Sequence, residues 1–177
     1  MAITLMQWLG SAAVVYGSTL FGNQRAARYR ERPRELRRLA TLLYSLQTEI
    51  SYARVPLQEA LQHVTMQADQ HSMLATFFGD TAHLLCMPGM TGQTAWNKAL
   101  TKYALHSPLT KEDLEIVTAL GRTMGITGID EQVGHVKASI EFLTARELEA
   151  LEERKRYERV FKTVGLLTGT LIVVLLI

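Results

Sequence analysis

Residues 33–50 read PRELRRLATLLYSLQTEI. Within them Leu36, Leu39, Leu43, Leu46 and Ile50 recur at steps of three and four, the period of one helix face. Arg34, Arg37, Arg38, Thr41, Gln47 and Thr48 fall mostly on the other faces, and Pro33 suits a first helical turn, where its missing N–H forfeits no bond. The stretch predicts an amphipathic helix that buries its leucines.

Outward from it the same period repeats. A second helix starts near Pro56 with Leu57, Ala60, Leu61 and Val64, and a third near Ser72 with Leu74, Phe77, Phe78, Leu84 and Leu85. Met87-Pro88-Gly89-Met90-Thr91-Gly92 is a loop, because proline and glycine interrupt regular structure. A fourth helix carries Ala95, Trp96, Ala99, Leu100 and Tyr103 and stops at Ser107-Pro108. Thr110 and Asp113 stand at the spacing of a capping box. The fifth helix they open has Leu114, Val117, Leu120 and Met124 on its face, and Gly125 and Gly128 break it. Asp130 caps a sixth through Val133, Val136, Ile140, Leu143, Leu148 and Leu151, and nothing from Ala145 to Lys162 interrupts that helix. No window alternates β-branched and polar residues as a strand would. The fold class is all-α, a compact bundle of about six helices.

Charge divides the chain further. All 19 basic and 17 acidic side chains lie between Arg25 and Lys162. Residues 25–38 hold seven arginines against two glutamates, and 154–162 hold five basic residues against one acid. What lies between, 39–153, has seven basic and fourteen acidic residues. An acidic domain thus sits between two basic collars, each abutting an uncharged apolar end. The first end, 1–24, reaches about 36 Å as a helix, enough for a hydrocarbon core of about 30 Å. A secretory signal needs positive charge before its apolar region. Here the arginines follow it, so the segment reads as an uncleaved anchor. The second, 160–177, ends in TVGLLTGTLIVVLLI; with Lys162 snorkelling it reaches about 27 Å and reads as a second anchor. Lysine and arginine near membrane segments stay inside. The organisation expected is therefore an anchor at 1–24, a cytoplasmic bundle at 25–159 and an anchor at 160–177.

The residues offer no catalytic constellation. A single cysteine, Cys86, excludes a disulfide framework and a cysteine zinc site, and reads as a small buried thiol. His63, His71, His83, His106 and His135 lack the close pairing that a helix-borne metal site requires. Gly17 to Gly22 has the glycine spacing of a phosphate loop without the Lys and Ser/Thr that complete it. Glu112, Asp113 and Glu115 read as a solvated first turn of the fifth helix. The arginine collar fits attraction to anionic lipid rather than nucleic acid, which the acidic domain behind it repels. Hence no enzyme, metal, cofactor or nucleic-acid partner is expected. Gly165 and Gly169 form a small-xxx-small pair, and Gly10, Ala13 and Gly17 a small face on the first segment; both suit close helix packing in lipid.

Several blocks resemble a known family. Leu36-Arg37-Arg38-Leu39 leads to Thr48-Glu49-Ile50-Ser51-Tyr52 and Pro56-Leu57-Gln58-Glu59-Ala60-Leu61, then Leu109-Thr110 with Asp113, Leu120-Gly121 with Gly125, and Asp130 with Gln132; Lys155, Tyr157, Gly165 and Gly169 follow. Together they resemble the stage III sporulation protein AB family of endospore-forming bacteria along essentially the whole chain. That family in turn is similar to the cytoplasmic domain of the inner-membrane platform proteins of type II secretion and type IV pilus machines. The resemblance implies a non-catalytic platform in the membrane around the developing spore, facing the mother-cell cytoplasm. Its expected partners are membrane lipid and other stage III complex proteins, including a secretion-type ATPase, and a homo-oligomer is compatible with it. The alternative is a membrane-anchored cytoplasmic adaptor or regulator outside sporulation. The junction of helices one and two places Glu49, Tyr52, Arg54 and Glu59 around one turn. A partly exposed aromatic beside charges suits an interface anchor, so these four are the candidate partner-binding residues; a packed Tyr52 with solvated or capping acids is the competing reading.

Overall fold

The computed structural model describes residues 29–53, 55–126 and 128–176, with the side chains of its last helix described to Tyr157 and at Val160. Helix α1 covers residues 29–48 and passes into a π-helical turn, Glu49–Ala53. It is followed by α2 (Leu57–Gln67), α3 (Met73–Leu85), α4 (Gly92–His106), α5 (Lys111–Gly121) and α6 (Ile129–Leu176). There is no strand among the described residues. The chain divides into two compact units, one formed by Arg32–Glu149 and one by the residues on either side.

In the Arg32–Glu149 unit the leucine stripe of α1 is the spine: Leu36, Leu39, Leu43 and Leu46 are wholly buried and Ile50 nearly so. The α3–α4 layer adds an aromatic cluster in which Phe77 meets Trp96 edge-on, with ring centroids 4.8 Å apart, and Tyr103 at 5.5 Å. Trp96 is fully buried and its Nε1–H donates to the Val117 carbonyl at 2.9 Å, so its one polar atom is satisfied. Edge-to-face pairs of this kind add about 0.5–1.5 kcal/mol beyond their area. Gly121 lies flat against that indole, and a Cβ there would overlap it.

Helix starts are set by side chains. Ser72 accepts from the Ala75 N–H and Thr91 from the Thr94 N–H. Thr110 and Asp113 form the reciprocal box expected from their spacing. Two details depart from the periodicity. Residues 29–32 are already helical, so Pro33 does not open α1. On α6 the buried positions among the described residues are Gln132, Val136, Ser139, Leu143 and Ala150, while Leu148 is 62% exposed. Five steps of about 100° from Leu143 carry Leu148 off the buried stripe.

The other unit is described at Tyr29–Glu31 and from Ala150 onward. There the rings of Tyr29 and Tyr157 stack with centroids 4.0 Å apart, and the Tyr29 hydroxyl donates to that of Tyr157 at 2.9 Å. Helix α6 continues without a break to Leu176, as the absence of interrupting residues predicts. Among the described residues no helix is long and apolar enough to cross a membrane. The expected anchor at 1–24, with Gly10, Ala13 and Gly17, lies outside the described residues. So do the side chains of the second anchor other than Val160; Gly165 and Gly169 are placed only as helical backbone.

Candidate docking surface at the loop pole

The Arg32–Glu149 unit has two poles. At one, the π-turn, the α3–α4 loop and the α5–α6 link come together; at the other, the start of α1 meets the α4–α5 link and Arg146.

At the loop pole α1 does not end on a glycine cap but widens into the π-turn. Such turns shift the side chains that follow and recur at functional sites. Ile50 still plugs the core, while Tyr52 is 85% exposed. Glu49 Oε2 lies 3.0 Å from His63 Nδ1 on α2 and ties the turn to that helix. That hydrogen bond is the main reason the His63 imidazole is held above its ordinary range; slight burial opposes it, and the charges of Glu49 and Glu59 add to it. Glu59 is exposed one helical turn before His63. Of the four residues expected at this corner, Glu49 is engaged with a histidine, and Tyr52 and Glu59 face solvent. Arg54 lies outside the described residues. His63 was the member missed. Its i,i+4 spacing from Glu59 was visible, but its pairing with Glu49 depends on the fold.

Beside the corner runs a groove of about 430 Å³. Leu57, Gln58, Leu85, Met90 and Ile126 line it, and Ile126 is 65% exposed. Its base is rigid. Gly92 packs so closely on the Met124 carbonyl that a Cβ would clash with it, and Gly125 adopts φ 74°, where a side chain is strained. Gln58 Nε2 donates to Cys86 Sγ at 2.9 Å. Cys86 is exposed, which overturns the buried-thiol reading. It follows the last residue of α3, beyond the turns that face the core, so its side chain meets the rim of the groove instead.

The opposite pole carries charge and buries it. Asp113 is completely buried and accepts four hydrogen bonds: from Arg32 Nε at 2.8 Å and Nη2 at 3.0 Å, from Arg146 Nε at 2.8 Å, and from the Thr110 N–H at 3.0 Å. Burial pushes the Asp113 carboxyl up, but the hydrogen bonds from Arg32, Arg146 and Thr110 outweigh it and bring its pKa down to about 2. One turn along α1, Glu35 is also buried and accepts from the Tyr103 hydroxyl at 3.0 Å. Burial first, then the Glu35 charge, drives the phenol well above its usual range. Two expectations are corrected here. Asp113 does not belong to a solvated first turn, since the bundle closes over it. Arg32 does not belong to a solvent-facing collar, since it is the buried fork that grips Asp113; Arg30, Arg34, Arg37 and Arg38 remain exposed. The carboxylate is saturated by the two guanidiniums and the Thr110 N–H, while Arg146 also donates to Glu149 at the surface. Among the described residues no group of three or more His, Cys, Asp or Glu is arranged to hold a metal ion.

A profile described as stage III sporulation protein AB matches residues 7–177. The chain belongs to the stage III sporulation protein AB family. A relative from Bacillus subtilis (strain 168), stage III sporulation protein AB, is 32% identical over 172 residues, covering 97% of this chain and 99% of its own length. A solved structure of stage III sporulation protein AB superposes with a TM-score of 0.65 at 32% identity, covering 71% of this chain and 98% of that one. The six-helix bundle is therefore the fold of the family, and the Thr48–Leu61 block that carried the resemblance is the corner of the loop pole.

Proposed function

We propose that this protein is a non-catalytic membrane platform of a sporulation trans-envelope, secretion-like complex, and that its bundle docks a cytoplasmic secretion-type ATPase at the loop pole. The observation that carries the reading is Tyr52, 85% exposed on a π-turn beside an open groove. A large exposed aromatic is the kind of side chain that dominates interface energies once a partner buries it. Segments 1–24 and 160–177 act as anchors, and 25–159 faces the mother-cell cytoplasm from the outer forespore membrane. The exposed arginines of α1 meet anionic lipid, while Gly10, Ala13, Gly17, Gly165 and Gly169 let membrane helices pack closely.

The docking test uses the full chain in neutral detergent and the ATPase of the same complex. Tyr52→Ala with Glu59→Arg is expected to weaken capture at least tenfold and leave the thermal melt in place. Full capture by this variant moves the docking surface elsewhere; no capture by the parent removes the ATPase as partner. The topology test uses the exposed Cys86 as a native reporter. An impermeant thiol reagent should leave it unlabelled in intact cells and label it after permeabilisation. Labelling in intact cells would put the bundle outside.

A further inference from the structure

A second surface lies on the side of the bundle, away from either pole. Between α5 and α6 runs an open groove of about 400 Å³. Its floor is apolar, made by Ile116, Ala119, Ala138 and Phe142. Phe142 is 63% exposed, an unusual position for a phenylalanine on a helix whose neighbouring faces are polar. The rim is acidic. Glu112 and Glu115 border it on α5, and Glu131 and Glu149 stand on the same face of α6. Arg146 reaches Asp113 and two of these rim acids, Glu149 at 2.6 Å and Glu112 at 3.9 Å, and the His135 ring lies 3.6 Å from Glu131, so Glu115 is the rim carboxylate outside these pairs.

We infer that this groove binds an amphipathic helix of another protein, one that carries lysine or arginine along the flanks of an apolar stripe. Two parallel ridges separated by an apolar trench are the receptor geometry for a third helix, read through anchors at i, i+3 and i+4. The carboxylates select the charge of its flanks. A second copy of this face is disfavoured, because pairing two faces that each carry Glu112, Glu115, Glu131 and Glu149 brings an acidic rim onto an acidic rim, and like-charge juxtaposition is costly. This surface is separate from the docking reading at the loop pole, and neither depends on the other.

The test measures anisotropy of two fluorescein-labelled synthetic 14-residue helices, one of leucine and lysine and one of leucine and glutamate. Each is titrated with the full chain in neutral detergent. The leucine–lysine helix is expected to bind, weakening at least tenfold with Phe142→Asp and with Glu115→Lys and falling with added salt. Glu59→Lys, at the loop pole, should change its affinity less than twofold. All three positions are exposed, and circular dichroism checks that each variant retains its helix content. Equal affinity for Phe142→Asp and the parent, or equal binding of the leucine–glutamate helix, overturns the inference. So does sedimentation in which Phe142→Asp converts an oligomer to a monomer, because the occupant is then a second copy.

Discussion

The two poles of the Arg32–Glu149 unit handle polar groups in opposite ways. Near the start of α1, Asp113 and Arg32 are taken out of water and the partly exposed Arg146 completes the carboxylate's bonds, joining α1, α5 and α6 through Asp113. At the loop pole the comparable groups stay wet: Glu49 shares one contact with His63, and Tyr52 and Glu59 have solvent before them. A buried pair resists the loss of either partner because the survivor is left charged in a low dielectric, while an exposed group is replaceable. The first pole therefore holds the bundle's helices in place, and the second can change its side chains with little effect on the fold. Substitutions should reveal this as an asymmetry in stability.

The largest effect is expected at Asp113. Asp113→Ala removes the carboxylate from between two guanidiniums and deletes half a capping box, and should cost about 3–5 kcal/mol in denaturant unfolding of the chain. A loss below about 1 kcal/mol would dissolve the contrast between the poles. Leu46→Ala, in the spine they share, should cost about 2–5 kcal/mol. Gly92→Ala sharpens the comparison, because the loop pole is soft only at its surface. Its Cβ meets the Met124 carbonyl beneath the groove, and overpacking of this kind costs about 1–3 kcal/mol.

Acidity separates the poles by direction. Asp113 has its pKa depressed to about 2, so its contribution is complete above the unfolded value near 3.8 and is lost as pH falls through about 2. His63 is shifted the other way. Its contribution is complete below the unfolded value near 6.5 and is lost as pH rises through its elevated folded value. Stability measured against pH should lose its acid limb's excess slope in Asp113→Asn and its near-neutral decline in His63→Gln, each variant leaving the other limb unchanged. The smallest effect belongs to Glu59→Arg, expected within about 0.5 kcal/mol of the parent. Glu49→Arg should cost more, because it also gives up His63, and equal melts for the two variants would show that the histidine contact contributes nothing.

What was legible in the chain follows from the range of each signal. The leucine stripe of α1, the Thr110–Asp113 box and the loop after Met87 are local patterns, and the structure places them as read except that Gly92, read as loop, opens α4. The fate of Asp113 was not local. Its arginine partners lie 81 and 33 residues away, and the same three-residue spacing serves a solvated cap as well as a buried one. Arg32 was hidden by its neighbours, since six similar arginines around it satisfy a membrane-collar reading without distinguishing one that turns inward. At the candidate surface, Tyr52 and Glu59 were identified from composition around a turn, but the π-turn that displays them has no strong compositional mark. Leu148 misled because hydrophobicity was visible and angular phase, over a helix as long as α6, was easily misjudged.

The π-turn has a further consequence for how this corner tolerates change in length. A π-turn is in effect an α-helix that has accommodated one extra residue. Deleting Ser51 would let the chain relax into ordinary α geometry. Ile50 would keep its seat in the core, and Tyr52 would stand one α-helical step after it instead of two steps of the wider turn. Tyr52 would then point along a different bearing, with the same composition and nearly the same packing beneath it. Length at Glu49–Ala53 thus acts as a dial on presentation: one codon more or less turns the tyrosine to a new heading while the bundle below keeps its shape.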